Sequence, residues 1–213
     1  MDSPTRQQTV ARHLLTVGAV QLRPDQPFTW SSGWRSPIYC DNRVTLAHPA
    51  VRTYLKEALA GVVRERFPDA GVIAGVATAG IPQGALVADA LGLPYCYVRP
   101  EPKAHGLGKQ IEGQLMPGSR VVVIEDLIST GGSSLKVVDA LRAAGTDVVG
   151  MAAIFTYGFA VAEQNFRDRH VALVCLSDYE TLLAEAQRLD YIPADARASL
   201  AAWRENPAEW GRL

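Results

Sequence analysis

Two kinds of hydrophobic pattern alternate along the chain. Continuous apolar runs rich in β-branched residues occur at residues 71–76 and 121–124, and such runs are typical of strands buried on both faces. Elsewhere apolar residues recur every three or four positions, for example at Val51, Leu55 and Leu59, which indicates a helix with one buried face. The alternation predicts an α/β fold, namely a doubly wound, mainly parallel sheet flanked by helices.

The same patterns set approximate bounds for the predicted elements. The predicted strands are residues 38–40, 71–76, 93–98, 121–124, 147–155 and 171–176. The predicted helices are residues 5–20, ending near Gly18, residues 81–91, 160–167, 179–189 and 194–204, one beginning at Pro49 and one beginning near Leu135. We expect a single domain, residues 1–213, with a core of about residues 50–178. A small N-terminal hood over the sheet is expected from about residues 1–45 together with the C-terminal helices.

Residues 121–134, V-V-V-I-E-D-L-I-S-T-G-G-S-S, join a predicted strand to the most specific chemical pattern in the chain. Glu125 and Asp126 stand where the strand is expected to end, and a loop rich in glycine and hydroxyl groups leads into the next helix. Such a loop can aim several backbone N–H groups at one anion, helped by the positive end of the helix dipole. Because carboxylates repel the same anion, the acidic pair is better placed to accept hydrogen bonds from sugar hydroxyls. The combination indicates a site for a ribose phosphate.

Two further loops follow predicted strands. Residues 77–80, A-T-A-G, form a second small loop, and ligands of parallel sheets bind at the carboxyl ends of the strands, where both small loops are expected. Residues 99–114 contain prolines, glycines and mixed charges but almost no apolar side chains. A loop of this length in a compact domain is usually a lid or disordered. Taken alone, its charged residues Arg99, Lys103 and His105 would more often be solvated than functional.

Composition and charge argue against some classes of function. The net charge of −1 creates no overall field that would attract nucleic acid, so any anion site must come from local groups. The N-terminal part has no apolar run long enough for a signal peptide or a membrane span. Cys40, Cys96 and Cys175 show no metal-ligand spacing, and their odd number argues against a disulfide framework. We expect reduced thiols in a cytoplasmic protein that binds neither nucleic acid nor membrane.

The run at residues 121–134 resembles the phosphoribosyl-pyrophosphate (PRPP) binding motif of the type I phosphoribosyltransferases. That motif consists of an apolar run, two acids, two further residues and a small loop of hydroxyls and glycine. Other stretches look like the orotate phosphoribosyltransferases within this family, and the similarity extends from about Phe28 to the end of the chain. These stretches are residues 28–43, A-T-A-G-I-P at 77–82, R-x-x-x-K-x-H-G at 99–106, I-E-G at 111–113, F-T-Y at 155–157, and residues 203–210.

The resemblance implies a role for each matching residue. Glu125 and Asp126 would bind the 2- and 3-hydroxyls of the ribose, while Ser129 and Tyr39 would contact the orotate. The implied catalytic residues are Arg99, Lys103, His105 and Asp126. The implied PRPP-binding residues are Thr78, Ala79, Gly80, Arg99, Lys103, His105, Glu125, Asp126, Leu127, Ile128, Ser129, Thr130, Gly131, Gly132 and Ser133, with residues 78–80 on the pyrophosphate and residues 129–133 on the 5-phosphate.

The resemblance also implies a reaction and its partners. PRPP and orotate would give orotidine 5′-phosphate and pyrophosphate, in pyrimidine nucleotide (UMP) biosynthesis. Negative charge grows on the departing pyrophosphate, and the cations of the long loop can meet it once water is excluded. Mg²⁺ is the implied cofactor, held mainly by PRPP and water, so that no protein ligand to the metal is assigned. A homodimer is implied in which residues 99–114 reach the active site of the partner.

The chain departs from the family pattern at three places. Pro100 stands where many members have a lysine after the loop arginine, and Ser31 stands where some members have another lysine. Residues 155–158, F-T-Y-G, occupy the turn in which some members have an arginine that binds orotate. The orotate contacts of that arginine therefore do not transfer to this chain, and the pyrophosphate contact of the first lysine is either lost or supplied by Lys109.

Two other functions remain open on the sequence. A type I transferase for a purine base would differ in the residues that select the base, and residues 28–43 favour orotate instead. A PRPP-sensing regulator on the same fold would need the PRPP loop but not the catalytic loop, and often adds a DNA-binding domain or a basic surface. The presence of Arg99, Lys103 and His105 together with the net charge of −1 favours an enzyme.

Overall fold

The computed structural model describes residues 4–30, 33, 35–101, 110–193, 195–207 and 209–210. The strands are β1 (Val20–Leu22), β2 (Phe28–Thr29), β3 (Arg35–Ser36), β4 (Ile38–Cys40), β5 (Val72–Val76), β6 (Tyr95–Val98), β7 (Ile111–Glu112), β8 (Arg120–Ile128), β9 (Asp147–Thr156) and β10 (Leu173–Asp178). The helices are α1 (Arg6–Thr16), α2 (Pro49–Arg66), α3 (Gly80–Leu91), α4 (Gly132–Ala143), α5 (Ala160–Asp168), α6 (Tyr179–Arg188) and α7 (Ala196–Glu205), with one 3₁₀ helix (Asn42–Ala47).

A six-stranded sheet forms the centre of the fold, in the spatial order β10-β9-β8-β5-β6-β7. Neighbouring strands are parallel, except that β7 runs antiparallel to β6. The predicted α/β class, with a mainly parallel sheet flanked by helices, is confirmed. No helix in the described part of the chain has both the length and the apolar character needed to cross a membrane.

The sheet separates two hydrophobic clusters, and β8 contributes alternate residues to each. Val122 and Ile124 pack with the apolar faces of α1, α2, α3 and α6. Val121 and Val123 pack with α4 and α5 on the opposite side. All four side chains are completely buried, because successive side chains of a strand point to opposite faces and helices cover both. This explains why the sequence of β8 is apolar without alternation.

Short strands before α2 form two small antiparallel sheets, one from β1 and β4 and the other from β2 and β3. The C-terminal helix α7 packs against this region through Trp203, which is completely buried. The Trp203 ring lies 5.5 Å from the ring of Trp30, edge to face, and 5.6 Å from the ring of Tyr157. The two ends of the chain therefore meet beside the carboxyl end of β9.

The predicted end of the central strand differs from the structure. β8 does not stop at the acidic pair but continues to Ile128, so that Glu125 and Asp126 are strand residues. The reason is the neighbouring strand β9, which pairs with β8 as far as Ile128 opposite Thr156. A strand continues through polar residues where a neighbouring strand still pairs with it. The local sequence does not show how far that neighbour extends.

Several short strands were missed in regions predicted as irregular. Residues 111–112 form β7 inside the predicted long loop, paired with Tyr97 and Val98 of β6. The strands β1, β2 and β3 were likewise not predicted. Elements of two or three residues are too short to show a hydrophobic period, so pairing in three dimensions defines them.

Candidate active site

A cavity of about 320 Å³ opens at the carboxyl edge of the sheet, where β5 and β8 end. It brings together the two small loops and the acidic pair, which are separated in the sequence. Its walls are formed by Val76, Ala77, Thr78, Ala79, Glu125, Asp126, Leu127, Ser129, Thr130, Gly131, Ser133 and Ser134. Three predicted PRPP-binding residues lie just behind these walls: Ile128 is buried in β8, while Gly80 and Gly132 are the first residues of α3 and α4.

The glycine loop after β8 delivers an open helix N-terminus to this cavity. Gly131 occupies the N-cap position of α4 with a φ of +80°, a conformation that favours glycine. Because glycine has no side chain, no side-chain oxygen caps the first turn of α4, and its N–H groups stay available to an anion. A Cβ at Gly131 would lie 2.7 Å from the ring of Phe166. The Nδ2 of Asn165 donates to the carbonyl oxygen of Thr130 at 2.9 Å, so α5 supports the loop from behind.

The loop after β5 delivers a second helix N-terminus. The peptide bond between Ala77 and Thr78 is cis. Gly80 begins α3 so close to β8 that a Cβ there would lie 2.7 Å from the carbonyl oxygen of Ile124. Ala79, at the N-cap position, offers no capping side chain. Two helix N-termini thus meet at one cavity, and each favours a negatively charged group.

The acidic pair lies between these two helix ends and is largely withdrawn from water. Glu125 is only 5% exposed; its Oε2 accepts a hydrogen bond from the Oγ of Ser134 at 2.8 Å, and its Oε1 accepts one from the backbone N–H of Asp126 at 3.0 Å. Burial, reinforced by the charge of Asp126, raises the pKa of Glu125 well above its usual range. Burial also raises the pKa of Asp126. The pair therefore retains a proton at higher pH than exposed carboxyls do.

A second pocket, of about 470 Å³, adjoins the cavity, because Leu127 and Ser129 line both. Its other walls are formed by Thr29, Trp30, Tyr39, Cys40 and Tyr157. The rings of Trp30 and Tyr157 lie 5.4 Å apart, so one wall is aromatic and suits a flat heterocycle. Ser129 and Tyr39, the two residues predicted to contact orotate, both belong to this pocket. The described lining residues of this pocket carry no charged side chain.

Arg99 lies at the carboxyl end of β6, at the start of the long loop. Its backbone N–H donates to the carbonyl oxygen of Gln110 at 3.0 Å, and its Nε lies 3.5 Å from the Oε1 of Glu112. These contacts join the two ends of the loop. Lys103 and His105, the other predicted cations, lie outside the described residues.

Several residues of the site were missed by the sequence reasoning. Ser134 holds Glu125, and its place at the end of the 121–134 run was a usable signal. Asn42, whose Nδ2 donates to the carbonyl oxygen of Asp126 at 2.8 Å, lies within the matched segment 28–43 but has no pattern of its own. Asn165 lies in an ordinary amphipathic helix and gave no signal. Further missed residues are the pocket residues Thr29, Trp30, Cys40 and Tyr157.

The polar side chains around the cavity could offer oxygen ligands to a metal ion, but they do not form a dense set of metal ligands. Searching the described ranges finds no group of three or more His, Cys, Asp or Glu side chains that could hold a metal ion. The carboxylate of Asp126 and the hydroxyl of Thr78 both line the cavity. Oxygen atoms of this kind suit Mg²⁺, which commonly binds through one or two carboxylates, water and the phosphates of a substrate.

The fold and this cavity define a class of protein. The family model described as "phosphoribosyl transferase domain" matches residues 45–185, which include both loops, the acidic pair and α4. The protein is therefore a phosphoribosyltransferase.

Individual relatives narrow this class. The chain is 57% identical over 202 residues to the orotate phosphoribosyltransferase of Bacillus caldolyticus, covering 95% of this chain and 98% of that one. The solved orotate phosphoribosyltransferase from Aeropyrum pernix is 33% identical with a TM-score of 0.75, covering 86% of this chain and 99% of that one. The solved UMP synthase of Leishmania donovani is 27% identical with a TM-score of 0.77, covering 92% of this chain and 42% of that longer one. The chain belongs to the orotate phosphoribosyltransferase family, whose members are pentosyltransferases, and the resemblance seen in the sequence is confirmed.

Proposed function

We propose that this protein transfers the 5-phosphoribosyl group of PRPP to orotate, giving orotidine 5′-phosphate and pyrophosphate in pyrimidine nucleotide biosynthesis. One observation carries the proposal: a single cavity has two open helix N-termini on either side of a carboxylate pair and continues into an aromatic pocket. PRPP has the matching sequence of groups, with phosphates at both ends of a ribose diol. The family membership of the chain supports the same substrates.

The 5-phosphate is assigned to residues 129–133 and the N-terminus of α4. The loop offers backbone N–H groups, the hydroxyls of Ser129, Thr130 and Ser133, and the positive end of the helix dipole. The pyrophosphate is assigned to residues 78–80 and the N-terminus of α3, by the same physical argument. Each phosphate group then meets an uncapped helix end.

The ribose hydroxyls are assigned to Glu125 and Asp126, which lie between the two phosphate sites. A carboxylate accepts hydrogen bonds only, and a sugar hydroxyl can donate one. Two neighbouring hydroxyls and two neighbouring carboxyl groups are therefore complementary. The oxygens of Glu125 already accept bonds from Ser134 and from the backbone of Asp126, so Asp126 is the freer acceptor.

The base is assigned to the aromatic pocket, next to Ser129 and Tyr39. Orotate is planar, and the ring of Tyr157 or Trp30 can cover one of its faces. The hydroxyls of Ser129, Thr29 and Tyr39 offer hydrogen bonds to orotate there, and the aromatic rings offer stacking contacts. Ser129 faces both compartments and is therefore assigned to the junction between base and ribose.

In the proposed reaction the C1–O bond to pyrophosphate breaks, a bond from C1 to a ring nitrogen of orotate forms, and the proton of that nitrogen passes to the departing pyrophosphate or to water. Because the pyrophosphate leaves with additional negative charge and can accept this proton, the step does not demand a strong general base. Charge accumulates on the departing pyrophosphate, and Arg99, Lys103 and His105 are proposed to stabilise it when the loop closes. Fixing both substrates along one continuous cavity supplies the orientation that the bond exchange requires.

Mg²⁺ is the proposed cofactor. Asp126 and Thr78 offer oxygen donors at the cavity, and the remaining ligands would come from PRPP and water. The ion would supply positive charge at the pyrophosphate. Removal of the metal with a chelator should therefore abolish turnover, and adding Mg²⁺ back should restore it.

We further propose a cytoplasmic homodimer in which residues 99–114 of one subunit close over the active site of the partner. The hydrogen bond between Arg99 and Gln110 joins the two ends of this loop beside the cavity-bearing edge of the sheet. Residues of about 1–45, with the C-terminal helices, are proposed to form the hood that closes the base pocket.

The decisive experiment measures the loss of orotate absorbance with PRPP and Mg²⁺, alongside a panel of purine bases. We expect turnover of orotate and none of adenine, guanine or xanthine. Turnover of a purine base without loss of orotate would refute the proposal in favour of a purine transferase. PRPP binding without turnover of any base would refute it in favour of a PRPP-sensing protein.

A further inference from the structure

Asn42 reaches from the 3₁₀ helix into the edge of the candidate active site. The residue is 1% exposed, and its Nδ2 donates to the backbone carbonyl oxygen of Asp126 at 2.8 Å. Cys40, which precedes Asn42 closely in the sequence, lines the aromatic pocket. Asn42 therefore lies at the junction of the ribose compartment and the base compartment.

The topology of the sheet explains why the carbonyl of Asp126 needs this donor. The register of β8 with β5 ends at Gly75 opposite Ile124, whereas β8 itself continues to Ile128. Beyond Ile124 the strand has lost its neighbour on that side, and a strand edge presents unpaired backbone groups. Asn42 supplies to Asp126 the hydrogen bond that a further strand would have made.

Asn42 is itself held by a chain of buried polar groups. The Oγ1 of Thr45 donates to the carbonyl oxygen of Asn42 at 2.6 Å, and the Nε2 of Gln83 approaches that Oγ1 at 3.4 Å. Thr45 is completely buried and Gln83 is 1% exposed. Gln83 lies in the first turn of α3, just after the second small loop. This series of buried polar groups thus connects Asp126 to α3, the helix assigned to the pyrophosphate.

Stability alone is a poor explanation for this arrangement. Within the described part of the chain, the Oδ1 of Asn42 and the Oε1 of Gln83 are buried without a hydrogen-bond partner. A buried amide that satisfies only part of its hydrogen-bonding capacity is unfavourable compared with a well-packed apolar side chain. What Asn42 provides, and an apolar side chain would not, is a donor at Asp126.

We propose that Asn42 is a positioning residue that fixes the main chain at Asp126, so that its carboxylate meets the ribose hydroxyls while the base pocket stays in register with them. This inference rests on the proposed function, since it assigns the diol of the ribose to Asp126. Losing the donor lets the free edge of β8 move, which displaces the carboxylate without touching either phosphate site.

The test measures the binding of two fragments of PRPP separately. Binding of ribose 5-phosphate, which contains the diol, and of inorganic pyrophosphate, which lacks it, is measured by calorimetry for the wild type and Asn42→Ala. We expect about tenfold weaker binding of ribose 5-phosphate and an unchanged affinity for pyrophosphate, as the loss of one positioning hydrogen bond implies. In steady-state kinetics the KM for PRPP should rise about tenfold, with a smaller change in kcat. Asn42→Ser, which keeps a shorter donor, should recover part of the affinity.

Thr146→Val is the matched control, because it removes a buried side-chain donor to a backbone carbonyl, that of Leu141, and Thr146 lines neither pocket. It should lower the melting temperature but leave the affinity for ribose 5-phosphate unchanged. Equal weakening of both ligands by Asn42→Ala, or a change in melting temperature alone, would overturn the positioning role. A wild type that binds neither ligand nor consumes orotate would overturn the proposed function, and this inference with it.

Discussion

At the scale of single residues, two adjacent acids have different surroundings. Side chains of β8 alternate between its faces, so Glu125 follows Val121 and Val123 toward α4, where it meets Ser134. Asp126 lines the same cavity, and its backbone carbonyl oxygen accepts a hydrogen bond from Asn42 of the 3₁₀ helix. Both oxygens of Glu125 accept hydrogen bonds within the protein, so Asp126 is the freer acceptor for a ligand.

The raised pKa values of this pair predict a pH dependence of PRPP binding. Diol hydroxyls donate to ionised carboxylates, so affinity should strengthen as pH rises through the raised pKa, by up to about tenfold per pH unit for one proton released. Protein stability should respond in the opposite sense. A raised carboxyl pKa favours the folded state while the group is protonated, so this contribution is present at low pH and lost as pH rises through the folded pKa.

The measurement is a calorimetric titration of PRPP across pH for the wild type and Glu125→Gln. The variant should show a shallower pH dependence, and the titration of PRPP itself cancels in the comparison. Glu57→Gln, on the surface of α2, serves as the control and should follow the wild type. Identical profiles for Glu125→Gln and the wild type would contradict the assignment of the proton to this pair.

The sequence predicted correctly that residues close together in the chain would share one cavity. Glu125, Asp126 and Ser129 occupy one contiguous run, so their spacing alone predicted a shared site. Asn42 and Asn165 could not be found in this way, because they act on carbonyl groups 84 and 35 residues distant. Every residue has a backbone carbonyl that can accept a hydrogen bond, so the sequence around the acceptor does not reveal the donor.

At the scale of elements, the glycine loop after β8, residues 129–133, depends on the helix behind it. α5 presses the ring of Phe166 against Gly131 and holds the carbonyl of Thr130 through Asn165. The loop therefore packs on α5, and its conformation depends on these contacts as well as on its own sequence. This support also explains how an uncapped helix end can be kept open for a ligand.

Gly131→Ala should disturb the packing of the loop on α5 in two ways. The left-handed φ costs an alanine about 1–2 kcal/mol, and the new Cβ would meet the Phe166 ring, so the loop must move. We expect the KM for PRPP to rise at least about tenfold, because the displaced N–H groups no longer converge on the phosphate. Steady-state kinetics with thermal melting would measure both effects.

Gly92→Ala is a matched control for the backbone term. Gly92 has a φ of +65°, but nothing lies within 4 Å of its added Cβ. It should lower stability by about 1 kcal/mol and leave the KM for PRPP unchanged. If the two alanine variants lost the same stability and the same affinity, the contact with Phe166 would have no functional weight.

The long elements were predicted, but among the strands of two or three residues only β4 was. The helices α2 and α3 have full hydrophobic faces, and Pro49 and Gly92 mark a beginning and an end. The strands β2, β3 and β7 contain two residues each, and only their pairing partners define them. The sequence therefore predicts the main helices and strands of the fold better than the short strands around the site.

At the scale of the whole molecule, the proposed loop crossing can be tested by mixing subunits. Lys103→Ala and Asp126→Ala should each be nearly inactive as homodimers. In a random mixture, half of the dimers contain one of each subunit, and one of their two sites has both native groups. Activity should therefore return to about a quarter of wild type if the loop serves the partner. No recovery would mean that the loop serves its own subunit.

The aromatic contact between Trp30 and Trp203 has a consequence for the order in which the two halves of the site can form. The acidic pair, the glycine loop after β8 and the supporting Asn165 come from one continuous stretch, residues 125–165, so this part of the site closes a shorter loop than the base pocket does. The base pocket instead needs residues from both ends of the chain, and such closures cost more conformational entropy and come later. During refolding, the chain should acquire its affinity for phosphorylated sugar before it can discriminate between bases.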